Sequence, residues 1–392
     1  MNSFIYNNPT KVIFEENGII HLEKALKEQN CKKILIVYGG KSAEKSGLLY
    51  KAVEYIEKAE IEYCMLSGVV PNPLLSKVNE GIELGKKEEI DFILAIGGGS
   101  VIDTAKAIGV GIKAGGDVWD FFEGKRTIEA CIPVGCILTI PAAGSEMSTS
   151  SVITHDESLL KRSINFEGAI CKFSILDPSL TLSLPDYQTF CGVTDIMMHT
   201  MERYFNTVEN LELTDALAEG LLRTVIKYGK VLKSDTNNME ARWNIMWAGS
   251  LSHNGLMNCG NNKGDWSTHK IEHEIGGLYD VAHGAGLAAV WASWARYVVE
   301  VIPHRFEKMG LTVLDIKDTG DQLKNANLAI DEIEKFFEEI EMPITIKKLG
   351  VKPSEEEIIL MADKATNYNN VTIGTVKKLD RDDIINIITN AL

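Results

Sequence analysis

A chain of 392 residues, 45% hydrophobic and 24% charged, has the composition of an ordinary globular protein with room for two or three domains. Its 55 acidic residues against 40 basic give a formal charge of −15, which argues against adhesion to nucleic acid or an anionic membrane. The opening Met-Asn-Ser-Phe-Ile-Tyr lacks a signal-peptide pattern, and no apolar run approaches the roughly 18–20 residues of a membrane span.

Up to about residue 185, short β-rich runs alternate with helical stretches. Val12-Ile13-Phe14 reads as an extra strand near a sheet edge. Lys33 to Tyr38 is an apolar strand ending in Gly39-Gly40, and a helix is expected from about Ser46 through Glu57. Ile61 to Met65 is a further strand, and Leu75 to Glu88 has helical periodicity. Phe92 to Ile96 then runs into Gly97-Gly98-Gly99-Ser100, with a helix over Val101–Ala114. Strands and helices at this spacing predict a parallel sheet covered on both faces. After Pro185 the pattern turns helical, near 192–206, 212–233, 239–258, 266–278, 284–300, 325–341 and 354–366. The expected division is an α/β Rossmann-like unit over 1–185, binding NAD(P), and an all-helical, metal-binding unit over 186–392.

Seven cysteines without C-x-x-C spacing read as reduced thiols of a cytoplasmic protein. Cys259 lies near a histidine cluster, though core packing is its expected use. Four of the eight histidines fall in Asp195-Ile196-Met197-Met198-His199 and in His269-Lys270-Ile271-Glu272-His273 with His283. On helices, Asp195 and His199 share a face, as do His269 and His273. His283 follows Gly276-Gly277, a break that lets its segment fold back. Asp195, His199, His269 and His283 then offer one carboxylate and three imidazoles to one divalent ion. His273 is left as a spare histidine or a proton carrier. His269 to His273 also fits H-x-x-E-H, the signature of a metallopeptidase in which the glutamate activates water.

A strand, a glycine turn and a helix start form the expected place for a pyrophosphate, so Gly98, Gly99 and Ser100 are candidate contacts. Ile102 stands where G-x-G-x-x-G has its third glycine. Asp103 either orders this loop or faces the helix dipole. At the earlier strand end, Gly39, Gly40, Lys41 and Ser42 offer space and donors for the adenosine ribose, and the first acid is Glu44. A carboxylate about 4 Å from a 2′-phosphate would cost about 4 kcal/mol at an effective dielectric near 20. Its absence favours NADP(H) over NAD(H). A metal beside a nicotinamide acts as a Lewis acid on an aldehyde oxygen.

These motifs together resemble the iron-containing, or group III, alcohol dehydrogenases over nearly the whole length. They are Gly97 through Asp103, Gly192 through His199, and Trp266-Ser267-Thr268-His269 through His273 to His283-Gly284. The wording Ile36-Val37-Tyr38-Gly39-Gly40, Phe173 through Pro178 and Val371-Thr372-Ile373-Gly374 is similar to the butanol dehydrogenase branch. The resemblance implies a dehydroquinate synthase-like fold with the site in a cleft between its halves, and a homodimer. It makes Asp195, His199, His269 and His283 the ligands of Fe²⁺ or Zn²⁺, and His273 the histidine that transfers a proton. It places Gly98, Gly99 and Ser100 at pyrophosphate, and Thr139 and Lys161 near the nicotinamide and its ribose. The family's T-A-G-T segment is replaced by Thr139-Ile140-Pro141-Ala142-Ala143-Gly144. The expected substrate is a small aldehyde or alcohol such as butanal or butanol. A polyol or glycerol dehydrogenase, and a metal or nucleotide sensor without turnover, are the rival readings.

Overall fold

Strands without polar alternation suit a parallel sheet, because neither face meets solvent. In the computed structural model, which describes residues 1–40 and 42–392, that sheet is built from six segments. In chain order the strands are Lys11–Phe14 (β1), Lys33–Tyr38 (β2), Glu62–Leu66 (β3), Phe92–Gly97 (β4), Val134–Leu138 (β5), Ser150–Thr154 (β6), Lys161–Asn165 (β7) and Phe173–Leu176 (β8). Six of them form an all-parallel sheet ordered β1-β8-β5-β4-β2-β3, with β1 at the expected edge, while β6 and β7 pair as a separate antiparallel ribbon. The chain lays β3 outside β2 and then returns to place β4 on the other side of β2. Such a reversal opens a crevice at the carboxyl ends of the two strands. Tyr38 pairs with Ile96, so the glycine turns that follow β2 and β4 emerge side by side at this point.

The helix expected from Ser46 is broken. One short helix covers Ser42–Lys45, and Leu48–Lys58 follows after Gly47, whose φ of 76° is open chiefly to glycine.

The second unit is built from the helices Asp186–Tyr204, Glu212–Ser234, Met239–His253, Ser267–Tyr279, His283–Val298, Pro303–Val313, Gln322–Glu339, Glu355–Ala365 and Arg381–Asn390. Trp291, Trp294, Phe205, Phe306 and Phe337 lie in its core. Two of these helices lie outside the expected set, and both carry start signals. Pro303 stands in the first turn of one, and Asp380 and Asp383 form a capping box on the other. The expected break at Gly276-Gly277 is not there. Both glycines are buried within a helix that continues to Tyr279, and the chain turns at Asp280 with φ 51°.

The compact units are Asn8–Leu184 and Met1–Asn7 together with Pro185–Leu392. The first seven residues therefore leave the expected 1–185 unit. Their bonds explain it: the Met1 ammonium donates to Glu209 O at 2.9 Å, and Asn2 N to Gly260 O at 2.7 Å. Among the described residues no helix is long and apolar enough to cross a membrane.

His283–Val298 crosses Asp186–Tyr204 so closely that a Cβ at Gly284 would lie 2.8 Å from Cys191 Cα and overlap its carbonyl. Gly284→Ala should force the two helices apart and destabilise the protein by about 1–3 kcal/mol. Chemical denaturation reads this, and an unchanged midpoint would show that the crossing relaxes freely.

Candidate metal centre and nucleotide-facing turns

Helical spacing puts Asp195 and His199 on one face of the Asp186–Tyr204 helix, whose middle is wholly buried. His269 comes from Ser267–Tyr279, and His283 opens His283–Val298. The four converge on Asp195 Oδ1, which lies 3.4 Å from His199 Nδ1, 3.8 Å from His269 Nε2 and 3.7 Å from His283 Nε2. Asp195 Oδ1, His199 Nδ1 and His269 Nε2 are buried and form no hydrogen bond. Each polar atom left so costs about 1–3 kcal/mol. A borderline divalent cation accepts one carboxylate oxygen and three imidazole nitrogens, so the donor set fits such an ion. The His283 side chain is 26% exposed against 5% for His199, which leaves the centre open on the His283 side.

Burial, reinforced by His253 and His269, pushes His199 well below the usual imidazole range and keeps it neutral. Burial acts the same way on His269, but the hydrogen bond to Glu202 and the negative charges of Glu202 and Asp195 outweigh it and raise the group to about 9. The field at this position thus favours positive charge.

Carboxylates also face the far sides of two rings. His283 Nδ1 donates to Glu272, and His269 Nδ1 lies 3.0 Å from Glu202 Oε1. Glu272 is fully buried against the His283 ring, and a Cβ at Gly286 would sit 2.9 Å from its Cγ. It orients a histidine instead of meeting water, which removes the basis of the H-x-x-E-H peptidase reading. His273 is half-buried with its ring centre 5.8 Å from that of His283, and it groups with Glu272 and His283. His253 stands edge-on to His199 at 4.2 Å, and Trp266 lies 5.1 Å from His269. His253 and Trp266 carry no spacing signal that would have marked them, whereas Glu202 continues the helical face of Asp195 and His199 and was open to the same reading. Cys259 Sγ faces Gly255 O at 3.8 Å, a packing contact.

In the α/β unit, Gly98 precedes the Gly99–Ala114 helix in an extended conformation, and the first N–H groups of that helix have no intrahelical acceptors. A Cβ at Gly98 would lie 3.1 Å from Ile140 Cβ, and one at Gly99 3.1 Å from Ala143 Cβ. Glycine thus lets the 140–143 segment press against the turn, where Gly98, Gly99 and Ser100 remain partly exposed. Ser100 lies in the first turn, and Thr139 N donates to Gly97 O at 3.0 Å, which brings Thr139 to the same turn. Lys161 is buried on β7 opposite Thr154, in the separate ribbon.

Asp103 accepts from Ser145 Oγ and from Val152 N at 2.9 Å, so it pins the 145–152 segment to the helix. Lys106, unmarked in the sequence, is fully buried and donates to Ser145 O, Ser148 O and Ser150 O at 2.6, 2.8 and 2.9 Å. Gly40 and Ser42 are exposed, nothing lies within 4 Å of a Cβ at Gly40, and a Cβ at Gly39 would be 3.3 Å from Val69 O. Lys41 lies outside the described residues.

The chain matches the model of the iron-containing alcohol dehydrogenases over residues 9–178 and that of the Fe-containing alcohol dehydrogenase family C-terminal domain over 189–392. It belongs to this family. It is 37% identical over 388 residues to NADH-dependent butanol dehydrogenase A of Clostridium acetobutylicum, covering 99% of each chain. An NADPH-dependent aldehyde reductase of Escherichia coli is 29% identical, with 92% of each chain covered. The crystal structure of NADH-dependent butanol dehydrogenase A from Thermotoga maritima superimposes with a TM-score of 0.96 at 35% identity, covering 100% of this chain and 99% of that one. This alcohol dehydrogenase is thus an oxidoreductase that works with a metal and a nicotinamide nucleotide.

Asp103→Ala should loosen the 145–152 segment, which Lys106 still holds, and cost about 2–4 kcal/mol for two bonds to a buried carboxylate. Thermal unfolding and nucleotide titration together check this. A loss of nucleotide affinity without a loss of stability would return Asp103 to direct cofactor contact.

Proposed function

We propose that this alcohol dehydrogenase reduces short aldehydes such as butanal to primary alcohols, reversibly, with one Fe²⁺ or Zn²⁺ held by Asp195, His199, His269 and His283. The observation that carries the reading is the meeting of four donor groups at Asp195 Oδ1, three of their atoms buried without hydrogen bonds. An ion bound there supplies a Lewis acid that polarises the aldehyde oxygen. In the balanced reaction the aldehyde and NAD(P)H take up one proton and give the alcohol and NAD(P)⁺. The new C–H bond is made by hydride from the reduced nicotinamide, and the proton goes to oxygen.

In this reading His273 carries that proton on its imidazole, supported by its half-buried position beside His283. Glu272 keeps the Nδ1 proton of His283 engaged, so Nε2 faces the centre. In the α/β unit, Gly98, Gly99 and Ser100 hold the pyrophosphate, with Asp103 fixing the segment behind them. Thr139 and Lys161 serve the nicotinamide half. Gly39, Gly40 and Ser42 take the adenosine ribose.

NADP(H) is the favoured nucleotide in this reading. Glu44, the nearest acid in sequence, lies 3.4 Å from the Tyr38 hydroxyl that donates to it, and Gly40 leaves open space. The more similar of the two relatives is named for NADH, so the assay must decide between strand-end chemistry and likeness. The protein is read as a cytoplasmic homodimer. All seven cysteines are free thiols, which suits a reducing compartment, and light scattering tests the dimer.

The central experiment follows nicotinamide absorbance with butanal on protein reloaded with Fe²⁺ or Zn²⁺. Asp195→Ala should lose both bound metal and turnover. His273→Ala should keep its metal and lose about 10²–10⁴-fold in kcat. Metal retained in full by Asp195→Ala would sink the ligand set, and an unchanged pH–rate profile in His273→Ala would remove its proton role.

Gly40→Asp tests the nucleotide reading more cleanly than a change at Gly39, whose Cβ would crowd Val69 O. It should raise the KM for NADPH while sparing NADH. A wild-type preference for NADH of about tenfold or more, roughly 1.4 kcal/mol, would overturn this part alone.

A further inference from the structure

We propose that Glu202 is a positioning residue of the metal centre, fixing both the tautomer and the direction of His269. The inference rests on the ligand set proposed above. Glu202 lies on the same helix face as Asp195 and His199, 2% exposed. Its Oε1 accepts from His269 N at 3.1 Å and faces His269 Nδ1 at 3.0 Å, and its Oε2 accepts from Trp266 N at 2.5 Å. A carboxylate only accepts, so Nδ1 carries the proton and the Nε2 lone pair is left facing Asp195. That Nε2 is one of the buried atoms without a hydrogen bond.

Capping alone does not account for this acid. Asp265 already serves the start of the Ser267–Tyr279 helix: it accepts from Ser267 N at 3.1 Å and from Thr375 N and Val376 N at 2.6 and 2.8 Å. A second buried carboxylate beside it is unfavourable, and burial together with Glu202 indeed pushes Asp265 up. Among the described residues no lysine or arginine forms an ion pair with Glu202, and its close charged partner is the His269 ring, with the Arg203 charge nearby. The backbone is bent to permit this. Trp266 has φ 65°, a costly conformation for a bulky residue, and it aims its N–H at Glu202. Asp265 N donates to the backbone carbonyl of Glu202 at 2.8 Å, holding the same turn. Carboxylates placed behind ligating histidines in this way raise the basicity of the ring and restrict its rotation.

The experiment compares Glu202→Gln, Asp265→Asn and His269→Ala in the full-length protein. Zn²⁺ and Co²⁺ affinities are read by competition with a chromophoric chelator, and ring orientation by the ligand-field spectrum of the Co²⁺ protein. Glu202→Gln should weaken binding about 10–100-fold and shift the Co²⁺ spectrum. Asp265→Asn should lower the unfolding temperature and leave affinity and spectrum unchanged. Wild-type affinity in Glu202→Gln, or an equal loss in Asp265→Asn, would overturn the proposal even while His269→Ala loses its metal. Full metal binding by His269→Ala would instead overturn the ligand set on which it rests. Should Glu202→Gln fail to fold, long-range ¹H–¹⁵N NMR of the wild-type Zn²⁺ protein decides. His269 protonated at Nδ1 and ligated through Nε2 supports the role, and the reverse assignment refutes it.

Discussion

Four donor groups are brought together in a buried place of the helical unit with three of their atoms denied any hydrogen bond, and the surrounding packing must hold them there. Protein interiors pair nearly all their buried polar atoms, so such a knot persists only if the surrounding packing holds it. The helices that meet there are tied at several points. Arg203 Nη1 donates to His199 O at 2.5 Å, and its guanidinium lies 4.5 Å from the Trp266 ring centre. At the end of the same helix, Arg305 donates to both oxygens of Asp215 and to Tyr204 O. Gly284 and Gly286 let His283–Val298 close on its two neighbours, so the position of His283 depends on the absence of two methyl groups.

The α/β unit answers a different demand, the crowding of two glycine turns at one end of its sheet. Its turns at Gly39-Gly40 and Gly97-Gly98-Gly99 are adjacent because β2 and β4 pair at the point where the strand order reverses. Behind the second turn, Asp103 and Lys106 sit one helical turn apart and hold the same segment by opposite means. The acid accepts from a hydroxyl and an N–H, and the ammonium donates to three carbonyls. All three Lys106 donors are used within the chain, so its burial leaves none of them wasted.

The convergence of Asp195 with three histidines was legible because helical spacing alone puts Asp195 beside His199, and because the chain has few histidines. The glycine turns were legible for a similar reason, each following an apolar run. What local sequence does not carry is which neighbour a side chain finally faces. Glu272 fits a hydrolytic motif by spacing, yet its carboxylate points at His283. Asp103 follows a phosphate-type turn, yet faces Ser145 and Val152. Gly276-Gly277 reads as a break, but both glycines are buried and the helix runs through them to Tyr279. Residues 1–7 precede a strand of one unit and bind the other unit's loop, a choice made by two backbone hydrogen bonds far away in sequence.

Charge balance links these observations. Around three imidazoles stand three buried carboxylates, Asp195, Glu202 and Glu272. With neutral histidines this is a concentration of negative charge in a medium that screens poorly. A monovalent cation would offset little of it; a divalent one offsets most. The charges of Asp195 and Glu202 also favour a proton on His269, raising it to about 9 against the opposing effect of burial. Ion and proton therefore compete for one electrostatic need, and ligation requires the ring neutral. The fold has gathered three buried carboxylates around three imidazoles, where a bound divalent ion and the ring protons would share one equilibrium.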